Sequence, residues 1–256
     1  MNRNNDKFPL SVAIITKNEE GNLPACLASV AFADDIIVVD SGSTDRTVEI
    51  AGDFGCRVFV EEWKGFGPQK NSAIQKSRHE WILILDADER VPEETKQKIL
   101  TILKSHHSAD AYCFQRKNFI HGKWIRHSDF WPDRQIRLVR KNRGCYHSAI
   151  HEKWTTGGVV ENVDVPIEHY SFFSYSDMLN TLNEYSTIIS GELLSSGRKA
   201  NFLSPVYHGL GMFIKIYLLK MGFLDGFDGL VIAITKAGGS FFKYAKLLEL
   251  QKKNKG

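Results

Sequence analysis

Very little in this chain favours a strongly charged partner. The 33 basic and 30 acidic residues leave a formal charge of +3, too small to make nucleic acid the main partner. Cysteine is scarce too: Cys26, Cys56, Cys113 and Cys145 are widely spaced, with no C-x-x-C pair. No signal-peptide pattern opens the sequence, so reduced cysteines in a cytosolic protein are expected. There is no internal repeat and no low-complexity linker. No stretch reaches the roughly 18 uncharged apolar residues of a spanning helix. Even the apolar segment from Phe202 to Leu250 is interrupted by Lys215, Lys220, Asp225, Asp228, Lys236 and Lys243.

What is present is carboxylate at strand ends. The run Glu80-Trp-Ile-Leu-Ile-Leu-Asp86-Ala-Asp88-Glu89 reads as a buried strand, short, continuous and apolar, that stops at two acids one residue apart. Open α/β sheets place their ligands at this end of the strands. Two carboxylates so close repel unless a cation or a ligand's donors share the site. Hard oxygen ligands suit Mg²⁺ or Mn²⁺, which usually also take substrate phosphates. A helix cap by Asp88 or Glu89 before Val91-Pro92 is the plainer alternative.

The first half alternates strand and helix. Strands are predicted at 10–15, 35–39, 57–60 and 81–85, with helices at 46–54 and 68–77 and an apolar-periodic helix through Leu23, Leu27 and Val30. Such repeats imply a mainly parallel, doubly wound sheet. A helix from Pro92 to about Lys104 follows, then a more β-like region with strand candidates at 111–114, 135–139 and 159–167. Beyond Ser174 the pattern is helical, with 175–195 as one helix. Apolar helices carrying Lys243, Lys246, Lys252, Lys253 and Lys255 fit an interfacial membrane surface, or else a helical cap or dimer interface. Asp40, in Asp40-Ser-Gly-Ser-Thr-Asp45, and Thr16 to Glu20 stand at further strand ends. Three polar strand ends on one rim can bind a nucleotide, although Asp-Ser-Gly-Ser is also a common turn composition.

Val12-Ala-Ile-Ile-Thr-Lys-Asn-Glu19, Val38-Val-Asp-Ser-Gly-Ser-Thr-Asp45 and Leu85-Asp-Ala-Asp-Glu89 closely resemble, in order and spacing, the family 2 inverting glycosyltransferases of the GT-A fold. The resemblance covers about the first half of the chain. It implies a Rossmann-like α/β catalytic domain over 1–172 with a helical, membrane-associating region over 173–256. It also implies transfer from a nucleotide-sugar donor with Mg²⁺ or Mn²⁺ bridging the diphosphate. Thr16, Asn18 and Glu19 would lie against the nucleotide, Asp40 would bind base or ribose, and Lys70, in Gly67-Pro-Gln-Lys-Asn71, would flank it. Asp88 would be the principal metal ligand, and Asp86 would face ribose or metal. The alternative for Lys70 is an ordinary solvated helix lysine.

An inverting transfer needs one general base for the acceptor hydroxyl. The family's usual downstream Glu-Asp pair is missing here, and Ile150-His151-Glu152 is the best match. Glu152 is the expected base with His151 as orienter or metal ligand, and the reverse assignment stays open. In Trp131-Pro-Asp-Arg134-Gln-Ile-Arg137, Arg134 or Arg137 would offset the leaving diphosphate, or belong to a half-exposed strand. Trp124 and Trp131 would stack on a sugar or fill core. The His-Glu motif, Glu168-His-Tyr-Ser171 and the apolar-basic tail resemble a bacterial subgroup, the lipopolysaccharide-core glycosyltransferases that include β-1,4-glucosyltransferases. That likeness implies a UDP-hexose donor, UDP-glucose in the first instance, and a glycolipid acceptor, with peripheral attachment to the cytoplasmic face of the inner membrane. The rival expectations are a polyprenyl-phosphate acceptor or another cell-surface glycan, or a catalytically silent nucleotide-sugar-binding membrane protein.

Overall fold

Strand β1 (Phe8–Thr16) is apolar on both faces because it lies in the middle of a sheet covered on both sides. The computed structural model describes residues 8–105, 109–147, 153–172 and 174–254. These divide into two compact units, residues 1–116 with 134–169 and residues 117–133 with 170–256. Relative to the expected division at 172/173, residues 117–133 and 170–172 group with the helical part.

In the first unit, β1 is flanked by β2 (Ala33–Asp40) and β4 (Trp81–Asp86), and β3 (Arg57–Val60) lies outside β2. All three of these pairings are parallel. Helices α1 (Leu23–Ser29), α2 (Thr47–Asp53), α3 (Phe66–Lys76) and α4 (Glu93–Lys104) supply the crossovers. Side chains alternate between two cores with the period of two that a strand imposes. Val12, Ile14, Leu83 and Leu85 pack with Leu27, Ala51 and Ile99, while Ala13, Ile15, Ile82 and Ile84 pack with Ala73 and Ile74. Two layers of helix thus sandwich the sheet.

Beyond β4 the sheet changes hand. Strands β5 (Glu89–Arg90), β6 (Ala111–Ile120), β8 (Arg134–Arg140) and β11 (Val160–Phe172) complete the order β3-β2-β1-β4-β8-β6-β11-β5. The β4–β8, β8–β6 and β11–β5 pairings are antiparallel. The expected mainly parallel sheet is therefore a mixed one, with parallel pairings across its first four strands. The reason is local: this part of the chain has few helices, and antiparallel neighbours need no helical crossover. Strand β6 also runs past Phe114, where the polar Gln115-Arg-Lys-Asn118 had marked an end. A separate ribbon pairs β9 (Gly144–His147) with β10 (Lys153–Thr156).

In the second unit, β7 (Lys123–Trp124) pairs with Phe119 and Ile120. Helix α5 (Tyr175–Ser195) starts at a capping box in which Ser174 and Asp177 satisfy each other's backbone N–H. Then come α6 (Ser204–Phe213), a π-helical turn (Ile214–Leu219), a short 3₁₀ turn (Gly222–Asp225) and α7 (Phe227–Lys253). Its core gathers Ile120, Ile125, Met178, Ile216 and Ile232. Asp225 ties the unit together, accepting from the Arg126 and His127 backbone N–H groups and from Ser128 Oγ at 2.9 Å. Among the described residues, no helix is long and apolar enough to cross a membrane.

Candidate active site

The parallel register brings the expected strand ends into one row. Thr16 pairs with Asp40 across β1 and β2, and Ile15 pairs with Asp86 across β1 and β4. With β2 on one side of β1 and β4 on the other, this row lies at the sheet's topological switch point. The acid at the opposite edge makes a useful contrast. Asp35 is buried, and Ser11, Arg57 and the Arg78 N–H all bond to it. Burial would raise its pKa, but those bonds hold it below the ordinary carboxylate value. It fastens strands and nothing more.

Asp40 is also fully buried. Its carboxylate accepts from Thr16 Oγ1 at 2.9 Å, from the Gly42 and Ser43 N–H groups, and from Ser43 Oγ. The turn that follows it is thereby folded onto its own first residue. Asn18, at φ 56°, joins the two loops: its N–H donates to Ser43 Oγ and its side-chain oxygen accepts from Thr44 N–H, both at 2.8 Å. Thr47 Oγ1 accepts from the Glu19 N–H at 2.8 Å. Thr16, Asn18 and Asp40 therefore build the rim from beneath, and the group they present is the Glu19 carboxyl. Burial first, then the charges of Asp88, Asp86 and Asp45, push that carboxyl up to about 7 despite a bond from Asn22.

Lys70 is nearly fully buried on α3, with its ammonium 2.7 Å from Asp86 Oδ1 and 5.6 Å from the centre of the Tyr146 ring. The solvated-lysine alternative fails. Arg137 on β8 reaches Asp86 Oδ2 at 2.8 Å and Glu89 Oε1 at 2.6 Å, and Arg116 stands 3.3 Å from the same Glu89 oxygen. Burial alone would raise the Asp86 pKa, but Lys70 and Arg137 hold it far below the carboxylate range. Both Asp86 oxygens face cations, and the Arg137 guanidinium is buried against the two acids.

Asp88 is different. One of its oxygens lies 3.1 Å from His169 Nε2. The other, Oδ1, is buried with no hydrogen-bond partner among the described residues. His169 arrives because β11 pairs with β5, opposite Glu89. Glu168-His-Tyr-Ser171 stood out in the sequence, but no role for His169 was read there, since only strand pairing across a long separation brings it to Asp88. An orphaned buried carboxylate oxygen, a neighbouring imidazole and a crowded Glu19 fit a hard divalent cation. Among the described residues, no three or more His, Cys, Asp or Glu groups converge as a complete metal cage.

His151 and Glu152 lie outside the described residues. The strands on either side of them, β9 and β10, are anchored to α3. Asn71 grips the Tyr146 backbone twice, donating to its carbonyl and accepting from its N–H, each at 2.9 Å. The neighbouring residues Lys70 and Asn71 thus hold Asp86 and the ribbon respectively. Arg134 bonds Asn162 on an exposed edge. Trp124 and Trp131 meet edge to face in the helical unit, with the Arg126 guanidinium 4.3 Å from the centre of the Trp124 ring.

Residues 11–173 match the description of Glycosyl transferase family 2. An uncharacterized glycosyltransferase of Rickettsia typhi is 32% identical over 260 residues, spanning 96% of this chain and 89% of that protein. The lipopolysaccharide core biosynthesis glycosyltransferase LpsC of Rhizobium meliloti is 26% identical over 251 residues, 95% of this chain and 93% of that one. The crystal structure of S. aureus TarS 1-349 shares 15% identity at a TM-score of 0.48, over 95% of this chain and 91% of that one. The family match spans well over half of the chain and includes all three strand-end motifs, so this protein belongs to Glycosyl transferase family 2 and is a glycosyltransferase.

Proposed function

We propose that this protein transfers a hexose, glucose from UDP-glucose in the first instance, with inversion onto an inner-core sugar of a lipopolysaccharide precursor. The observation that carries the reading is Asp88, whose unpartnered oxygen sits at the carboxyl rim beside His169 and near the raised Glu19 carboxyl. Asp88 would hold Mg²⁺ or Mn²⁺, with His169 as its neighbour. When bound, that ion neutralises charge on the departing diphosphate. Lys70 and Arg137 keep Asp86 ionised and in place below it. Thr16, Asn18 and Asp40 fix the loops against which the nucleotide lies.

Glu152 takes the proton of the acceptor hydroxyl, with His151 as the alternative base. The hydroxyl oxygen bonds to the anomeric carbon from the face opposite the diphosphate. The bond from that carbon to the diphosphate oxygen breaks, and the electron pair leaves with UDP. The printed name of the Rhizobium meliloti relative supports a lipopolysaccharide-core acceptor. For the helical unit we place the protein peripherally at the cytoplasmic face of the inner membrane. Supporting this are the side chains it exposes: Phe202 at 79%, Leu219 at 73% and Phe227 at 68%.

The test is UDP release across a panel of nucleotide sugars, with and without Mg²⁺ or Mn²⁺, and with lipopolysaccharide precursors or polyprenyl phosphate as acceptor. UDP-glucose with the precursor should give the highest metal-dependent turnover, and Asp88→Ala should lose at least about a hundredfold. Full turnover by Asp88→Ala with metal present refutes the metal assignment. A preference for polyprenyl phosphate reassigns the acceptor, and binding of UDP with no transfer to any acceptor refutes catalysis.

A further inference from the structure

We propose that the helical unit takes one acyl chain of an anionic membrane phospholipid into a cavity between α5 and α7, with the lipid phosphate against Lys236 and Lys243. The proposal rests on reading this unit as a membrane surface and adds a defined lipid site to it. The cavity is a groove open to the surface, with a volume of about 390 Å³, within the range of sites that hold small molecules. Met178, Leu182 and Tyr185 face it from α5, and Ile232, Lys236 and Lys243 from α7. With Gly239 and Ser240 between Lys236 and Lys243, these positions recur at three- and four-residue spacing, so each helix turns a single stripe toward the space. Gly239 and Ser240 on α7 also line it, and their small size keeps the two helices from filling it.

The charge on the lining is of one sign. It includes two lysines and no Asp or Glu. Lys243 is half-buried and makes no ion pair among the described residues. The Lys236 ammonium donates to the Ser128 carbonyl at 3.2 Å and lies 4.6 Å from the centre of the Phe130 ring. Asp129 and Asp133 are near enough to act on it, along with Lys215 and Lys220, but the Asp129 carboxylate is paired with Lys220 at 2.8 Å. By contrast, Lys246 is fully engaged, bonding Asn183, Ser186 and Thr187 on α5. An apolar hole bordered by two under-compensated lysines, whose backbone positions are roughly 10 Å apart along one helix and whose long side chains can converge on one phosphate, complements an apolar chain with an anionic end. Ile188, Phe241 and Phe242, on the same two helices, are exposed. Exposed apolar side chains on the helices that form the cavity favour a bilayer lipid as the source of the chain.

The experiment titrates the delipidated full-length protein with cis-parinaric acid, whose fluorescence rises in an apolar site. Lysophosphatidylglycerol and lysophosphatidylcholine of one chain length then compete for the probe. One saturable site per chain is expected, with the anionic lysolipid displacing the probe at least about tenfold better. Thr181→Phe and Gly239→Leu, which fill the cavity from opposite helices, should abolish uptake, and Lys243→Ala should narrow the anionic preference. Unsaturable uptake, uptake unchanged in both filled variants, or equal displacement by the two lysolipids overturns the proposal. Co-sedimentation with phosphatidylglycerol vesicles separates it from the membrane reading. Wild type that takes up the probe yet ignores vesicles refutes the membrane surface alone. Vesicle binding by wild type with no probe uptake refutes the cavity alone.

Discussion

The two units dispose of their apolar side chains in opposite ways. In the sheet unit, Leu10, Ile14, Leu83 and Leu85 are essentially inaccessible, and the functional groups on its rim are charged. In the helical unit, Phe202, Leu203, Val206, Leu210 and Leu219 are exposed, although helices of that composition could have turned them inward. A folded protein always shows some apolar surface, but a concentration of large side chains over one region marks a surface with a partner. The sheet unit also exposes Val60 and Val159, but the helical unit exposes more and larger apolar side chains, which is why the proposed membrane surface is assigned to it.

The largest expected effect strikes at the first half of that contrast. Arg137→Ala leaves the buried Glu89 with Arg116 and the Asp86 N–H, and leaves Lys70 as the ion-pair partner of Asp86 among the described residues. Removing one member of a buried charge cluster should cost about 3–5 kcal/mol, read as a lower urea midpoint. A loss within about 0.5 kcal/mol would mean that the cluster is solvated. The second prediction strikes at the other half. The double variant Phe202→Ser, Leu219→Ser should weaken vesicle binding at least about tenfold, since each side chain loses apolar burial worth on the order of 1.5–3 kcal/mol. Its urea midpoint should stay within about 0.5 kcal/mol of wild type. A matching loss of stability would show these side chains to be core.

The smallest effect sharpens the chemistry of the rim. Glu19 has a folded pKa of about 7 against 4.5 for the free side chain. Between those values the folded protein holds more protons than the unfolded chain, so stability contributed at low pH is lost as pH rises through about 7. Glu19→Gln should flatten that slope and stabilise the metal-free protein at pH 8 by on the order of 1 kcal/mol, after allowance for solvent screening. Adding Mg²⁺ or Mn²⁺ to wild type should recover part of the same difference. An unchanged slope in the variant would remove the carboxylate crowding argument.

Much of the first unit was legible because its cause is local. Strands 57–60 and 81–86, helix 93–104 and the ends at Thr16, Asp40 and Asp86 follow from apolar runs that stop at polar residues. The helix at 175–195 was legible for the same reason, with its cap in Ser174 and Asp177. The roles within the site were less so. Asp40 looks in sequence like a ligand-facing acid, yet its own turn encloses it. Asp86 and Asp88 look alike one residue apart, and only α3 and β8, arriving with Lys70 and Arg137, distinguish them. His169 needed β11 to reach β5. Residues 117–133 carry no compositional sign that they group with the helical unit, because that grouping rests on Asp225 and its bonds to residues 126–128.

The sequence by itself determined the family, the parallel start of the sheet and the rim on which the chemistry belongs. Apolar periodicity and strand-end polar motifs are properties of neighbours along the chain, and they suffice for these. Only the tertiary structure decided that the sheet turns antiparallel, that Asp88 rather than Asp86 retains an unpartnered oxygen, and that the helices form a lysine-bordered apolar cavity. Those outcomes depend on which distant side chains share a buried volume, where one cation more or less changes what a carboxylate can do.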